Sequence, residues 1–311
     1  MAIAPIALFV YNRPDHLRQS ITALRDDALA SRSSLYMFCD AAKTAQDLAA
    51  VNEVRTIARS VSGFAKVEVR LQRVNLGLAQ SVIAGVSELT AKYGSAIVLE
   101  DDLVVAPGFL TYMNQALERY RHEHRVMQVS GYMFPVKGPQ PYGATFLCRV
   151  PTSWGWGTWA RAWQQFNPDC SGLLEYLRES GQQHAFNVNG AYPYFEHLRL
   201  HVEGKLDVWG VRWYASMFAA GGLCLYPNQS LVRNIGMDGS GVHCGVSSDF
   251  DVELSTSSSW TFPDHIAESA PALEAIQSFL ESLRSPQKGS VIPELFSRLR
   301  ATAGRIRRGL T

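Results

Sequence analysis

Apolar runs of strand length alternate with stretches of helical spacing over the first hundred residues. Residues 3–10 form a buried-strand pattern, Pro14 opens a helical stretch over 15–24, and 35–38 is a second strand. Helical spacing over 48–61 leads to a third strand over 67–71. A helix over 78–93 follows, with Val82, Val86 and Leu89 on one stripe, and then a fourth strand over 96–99. Strand and helix alternating at this interval predict an α/β fold, a mostly parallel sheet with helices on both faces. Ligands of such sheets bind beyond the carboxyl ends of the strands.

The fourth apolar run is interrupted in an informative way. Ala96-Ile97-Val98-Leu99 ends in Glu100-Asp101-Asp102, resumes at once as Leu103-Val104-Val105, and continues into Pro107-Gly108-Phe109, a helix-start pattern. Adjacent carboxylates repel one another. Away from water each costs several kcal/mol or takes up a proton unless something positive compensates it. A divalent cation with oxygen ligands removes that penalty; a strand ending in a solvated acidic turn is the simpler alternative. Polar residues also fall at the other strand ends, Asn12-Arg13 after the first and Asp40 after the second. Asn75-Leu76-Gly77 follows the third, where glycine lets the backbone approach a ligand closely. The topology predicts that these groups meet.

From about residue 126 the alternation fades and tryptophans accumulate: Trp154, Trp156, Trp159, Trp163, Trp209 and Trp213. Trp159 and Trp163, four apart, are expected to pack from one helix face. Trp154 and Trp156 lie in Ser153-Trp154-Gly155-Trp156-Gly157, where flanking glycines suit rings open to a cleft as well as rings in a core. The run from Ser255 to Ser259 reads as a linker, and Ala270-Pro271 opens a helix through Leu283. Three parts are expected: 1–125, 126–254, and 255–311 with a helix and a basic tail.

Composition narrows the function classes. With 311 residues, 47% hydrophobic and 18% charged, the chain can bury one large core or two modest ones. A net charge of +1 gives no pull toward nucleic acid, and no RNP, zinc-finger or basic-zipper pattern supplies one. Five widely spaced cysteines without a C-x-x-C pair fit free thiols in a reducing compartment, and the cytoplasm is the expected location. No apolar run is long enough to span a membrane, and the first strand is entered without a signal-peptide cleavage pattern. The tail over 291–310 places Arg298, Arg300, Arg305, Arg307 and Arg308 around Leu295, Phe296, Leu299 and Ile306. It reads equally as a helix lying on an anionic membrane surface and as a solvated tail. His197 and His201 have i, i+4 spacing, but Glu196 precedes the pair rather than lying within it, so a surface helix face is favoured over a zinc site. Neither a G-x-S-x-G elbow nor a Walker A loop occurs.

Several segments together carry a resemblance. They are Val10-Tyr11-Asn12-Arg13-Pro14, Cys39-Asp40, the block from Val98 to Phe109, Trp154-Gly155-Trp156, Leu206-Asp207-Val208-Trp209, and the glycine-rich stretch from Asn234 to His243. In this order, over roughly 3–244, the chain resembles the GT-A class of nucleotide-sugar glycosyltransferases. Within that class it resembles the inverting N-acetylglucosaminyltransferases and the bacterial family-two-like enzymes. The resemblance implies a GT-A, Rossmann-like sheet with an aromatic-rich acceptor half. It implies that Asp102 ligates Mn²⁺ (or Mg²⁺) bridging the donor diphosphate, and that Glu100 and Asp101 bind ribose or donor sugar. Arg13 would recognise the nucleotide, Asp40 a uracil N–H, and Asn75 and Gly77 would lie nearby. Asp207 matches the family's catalytic base, where this chain keeps one aspartate of a pair and Glu203 competes. Gly236, Gly239 and Gly241 would give mobility to a loop closing over the donor, with Ser240 and His243 reaching phosphate or metal. Trp154, Trp156 and Trp209 would face the acceptor.

The leading expectation is an inverting, metal-dependent transferase moving a sugar from a nucleoside-diphosphate sugar, UDP-linked by resemblance. Its acceptor would be a glycan or a lipid-linked molecule in surface polysaccharide assembly, reached from the inner face of the membrane through the tail. A sugar-nucleotide nucleotidyltransferase would need an early glycine-rich loop, which residues 1–26 lack. A non-catalytic carbohydrate- or nucleotide-binding module is the remaining alternative.

Overall fold

Strands that are apolar on every residue need cover on both faces, and the order of elements supplies it. The structure, a computed structural model, describes residues 3–138, 141–240 and 246–283. β1 (Ile6–Val10), α1 (Pro14–Arg25), β2 (Ser34–Cys39), α2 (Leu48–Ser60), β3 (Lys66–Leu71), α3 (Gly77–Tyr93) and β4 (Ser95–Glu100) follow the predicted alternation closely. Then come β5 (Leu103–Val105), α4 (Phe109–Arg119), β6 (Val126–Ser130), β7 (Thr145–Cys148), β8 (Trp156–Trp159) and α5 (Ala160–Trp163). Four further helices, α6 (Ser171–Glu179), α7 (Gln183–Phe186), α8 (Tyr194–Val202) and α9 (Trp209–Ala219), precede β9 (Leu223–Pro227), β10 (Val232–Asn234) and α10 (Ala270–Ser282).

Eight strands form one sheet in the order β3-β2-β1-β4-β8-β6-β9-β7. The first four are mutually parallel, β8 runs against both β4 and β6, β9 is parallel to β6, and β7 is antiparallel to β9. The chain walks outward from β1 to β3 and then returns through α3 to place β4 on the other side of β1. The order therefore reverses between β1 and β4, the point at which sheets of this kind leave a crevice beyond their carboxyl ends. Register puts Phe38, Phe9 and Glu100 in one row on adjacent strands. α3 lies over that row, because a methyl on Gly85 would come within 2.7 Å of Phe9. β5 leaves the large sheet and pairs antiparallel with β10, with Leu103 opposite Asn234. The acidic turn 101–102 is thus fixed at both ends.

The tryptophans belong mostly to the core. Trp156 is fully buried, pairs in register with Val98 of β4, and stacks on Trp209 at 5.2 Å between ring centroids. Neither faces a cleft, because β8 lies between β4 and β6 and α9 covers it. Trp159 and Trp163 do not share a helix face. Trp159 ends β8 and donates to the Leu117 carbonyl of α4, whereas Trp163 ends α5 and donates to Ser87 of α3. The serine run over 255–259 is no free linker. Ser255 donates its backbone N–H to the Ser230 carbonyl, and the rings of Trp260 and Phe262 pack on Tyr112 of α4. The larger apolar cluster draws residues from Ala4 to Leu283, across the boundaries near 125 and 254, and a smaller one joins α6, α7, α8 and α9. Cys39, Cys148, Cys170 and Cys224 are free and buried; Cys244 and the tail over 291–310 lie outside the described residues. No helix of the described residues is long and apolar enough to cross a membrane.

Replacing Trp156 with alanine removes the ring on which the α9 contact is built. We expect a loss of about 3–5 kcal/mol, read as a lower urea midpoint with an unchanged slope.

Candidate active site

Proline at the first turn of α1 leaves Arg13 just outside the helix, with its side chain free to turn back across the reversal point. There it bridges the acidic turn: Nη2 lies 2.5 Å from Asp101 Oδ1 and Nη1 2.9 Å from Asp102 Oδ2. Asp101 also accepts from the Tyr11 N–H at 3.1 Å, and Ser20 donates to its carbonyl at 2.8 Å. Both aspartates are buried. Burial works against the Arg13 charge, yet the neighbouring Asp101 and Asp102 outweigh it and hold the guanidinium more firmly charged than usual. Asp101 is raised by burial, with Arg13 pulling the other way. Glu100, beside Phe9, is pushed up to about 8 by burial first and by Asp102 and Asp101 next, against the pull of Arg13. Asp101 and Asp102 thus share one guanidinium, with Glu100 held toward its protonated form beside them and Lys43 elsewhere on the cavity wall.

Asp40 shapes the turn into α3. Its Oδ1 accepts from the N–H groups of Ala41 and Leu76, and its Oδ2 from Gly77 N–H and Asn75 Nδ2, at 2.8–3.1 Å. Both oxygens are occupied in shaping the turn into α3, with Gly77 in the left-handed region at φ +75°. Asn75 closes the same turn through the Ala41 carbonyl at 2.7 Å. These residues organise the wall of the site, and a bond from Asp40 to a base would have to replace one of the four already made.

A cavity of about 320 Å³ opens at the reversal point, and Arg13, Glu100, Asp101 and Asp102 line it together. Asp40, Asn75, Gly77, Trp154 and Ser240 lie on the same walls. Trp154 is half-buried and braced edge-on by Tyr132 and Phe250. Ser240 bonds to Asp238 through both its N–H and its hydroxyl. Gly236 is a packing position as well as part of a glycine-rich stretch: a methyl there would overlap Asp102 Oδ2 and sit 2.9 Å from Arg13 Nη1. Gly241 and His243 lie outside the described residues. A broader depression of about 1000 Å³ adjoins at Asn234, which lines both.

Asp207 precedes α9, whose Trp209 rests on Trp156 at the carboxyl edge of β4, but it is not on the cavity wall. Its carboxylate is exposed at 65%, and Oδ1 takes a 2.7 Å bond from Arg212, itself 4% exposed. Glu203 is paired with both Arg199 and Lys205 on the surface. His197, expected on a surface face, is buried against Tyr192, and no group of metal-holding side chains forms among the described residues.

Two residues at the site carry no motif. His16 Nε2 lies 3.2 Å from both the Ile235 carbonyl and Asp238 Oδ2, tying the segment after β10 to α1. Ser81 lines the cavity from α3; only its place four residues after Gly77 marks it in the sequence.

The donor set fits a divalent ion in one way. Asp102 pairs with Arg13 through Oδ2, and Glu100 and Asp101 line the same cavity, so the described residues would offer only a few of the about six oxygens that a divalent cation takes. A diphosphate and water would have to supply the rest. No protein-family model matches the chain, and no curated protein matches it. Among solved structures the chain is similar to S. aureus TarS. One TarS structure, of residues 1–349, aligns over 50% of this chain and 47% of its own length, at 12% identity and a TM-score of 0.35. A longer one aligns over 48% of this chain and 26% of its own, at 12% identity and a TM-score of 0.31. The chain thus spans about half of one and a quarter of the other. At these values neither bears on function, which rests on the site.

Replacing Gly236 with alanine forces the segment off the acidic turn. We expect a loss of about 1–3 kcal/mol of stability. Faster hydrogen exchange should appear at the Ile235 N–H, now bonded to the Asp102 carbonyl at 2.9 Å.

Proposed function

We propose that the protein is a glycosyltransferase that takes its sugar from a nucleoside diphosphate, UDP in the first instance. The observation that carries the reading is the meeting of Arg13 with Glu100, Asp101 and Asp102 in one cavity at the reversal point of a nucleotide-binding type of sheet. A diphosphate brings negative charge, and the cluster accepts it only together with a cation. Asp102 would hold Mn²⁺ or Mg²⁺ with the diphosphate. When bound, that ion supplies Lewis-acid neutralisation of the leaving group.

The chain's own residues do the rest. Arg13 anchors the acidic turn and presents its remaining N–H groups to the phosphates, a fork suited to such oxygens. Glu100 and Asp101 border the ribose and the sugar, and Trp154 offers a ring face for a sugar. Asp207 keeps Oδ2 free while Arg212 fixes Oδ1. Asp207 lies off the wall of the donor cavity, so the acceptor would approach along the exposed start of α9, and Oδ2 would take the proton of its hydroxyl as that oxygen attacks the anomeric carbon and the nucleoside diphosphate departs with the bonding pair. One base without a nucleophile inverts the anomeric centre. The acceptor is a glycan or a lipid-linked molecule, with membrane-surface contact through the tail over 291–310, and nucleic acid has no part.

Thermal-shift titrations with UDP, GDP and dTDP, each with and without Mn²⁺, test the reading. We expect one nucleotide to raise the melting temperature in a metal-dependent way, and Asp102→Asn to abolish the rise. Asp207→Asn should keep the rise and lower kcat about 10²–10⁴-fold. No response to any nucleotide would overturn the proposal.

A further inference from the structure

Ser81 sits on the second turn of α3, is 7% exposed, and lines the cavity, yet its hydroxyl has no hydrogen-bond partner among the described residues. A helical serine usually returns its hydroxyl to the carbonyl four residues back. Thr90 on the same helix does so, donating to the Val86 carbonyl at 2.7 Å. An unpartnered buried hydroxyl is costly unless something else completes it.

The surroundings say what that could be. Phe9 and Phe38 stack at 4.9 Å between centroids and meet α3 at Gly85, one turn beyond Ser81. They line the cavity together with Leu78 and Gly77. None of these four neighbours carries charge, so a phosphate gains nothing there, and a sugar would turn most of its hydroxyls toward carbon. A flat heteroaromatic ring has apolar faces and a few polar atoms on its edge, which matches apolar walls with one free hydroxyl.

Resting on the donor reading above, we infer that Ser81 is a specificity-determining residue whose hydroxyl bonds the edge of the donor's nucleobase, seated in the cavity against the wall that the first turns of α3 and the Phe9–Phe38 pair form together. The base then lies on the α3 side of β1 and the diphosphate at Arg13. Selection among nucleotides depends on α3 as well as on the strand ends.

Calorimetric titration of the full chain tests this with two probes in the presence of Mn²⁺: whichever of UDP, GDP and dTDP binds the unaltered protein most tightly, and inorganic pyrophosphate, which has no base. Ser81→Ala is expected to weaken the nucleotide about three- to tenfold and leave pyrophosphate unchanged, the scale of one lost hydrogen bond. Ser81→Thr, which keeps the hydroxyl, should restore part of the loss. Equal nucleotide binding by Ser81→Ala and the unaltered protein overturns the inference and leaves the donor reading standing. A parallel loss of nucleotide and pyrophosphate also overturns it, since the change then acts on the helix and not on the base. If the unaltered protein binds no nucleotide, the donor reading falls and this inference with it.

Discussion

One guanidinium holds the site together. Arg13 reaches from the end of β1 across the reversal of strand order and pairs with two adjacent carboxylates after β4. Without it, buried charges would stand unpaired, a loss of about 3–5 kcal/mol when one partner of a buried pair is removed. The strand order makes the bridge available, since only neighbouring β1 and β4 bring these ends within reach. The pairing of β5 with β10 keeps the turn from relaxing away, and Gly236 lets the following segment rest directly on Asp102. Fold and chemistry are linked at this contact. The bridge compensates part of the negative charge of the turn.

The parallel half of the sheet was legible because β1, β2 and β4 are almost wholly apolar, β3 alternates, and the helices carry clean 3.6-residue spacing, so burial and periodicity agree. The antiparallel half was not. β8 reads as a glycine-flanked aromatic loop, and local sequence cannot tell that Trp156 will sit between β4 and β6 under Trp209. Trp159 and Trp163 show the same limit: helical spacing joins them, but a strand ends at one and a short helix at the other. Tertiary pairing, which spacing does not encode, decided both. The serine run over 255–259 failed as a linker because composition is blind to Trp260 and Phe262 just beyond it.

At the site, the Glu100-Asp101-Asp102 interruption was readable because carboxylates between apolar runs demand compensation wherever they lie. Arg13 was readable as a strand-end residue, though not as the counter-ion. Asp40 was readable as a strand-end residue, but not its four bonds to the turn before α3, which depend on β2 and β3 lying side by side. Ser81 was invisible: a serine on a helix stripe is unremarkable until its hydroxyl is found without a partner inside a cavity.

The proposed site is completed by a cation and a diphosphate together, because its carboxylates supply only part of a cation's oxygen shell. Electron spin resonance of Mn²⁺, which loses the free-ion signal on binding, reads this directly. We expect the protein to leave Mn²⁺ in solution until UDP is added, and then to take up metal and nucleotide together. Tight uptake of Mn²⁺ without nucleotide, or UDP binding indifferent to the metal, would contradict it.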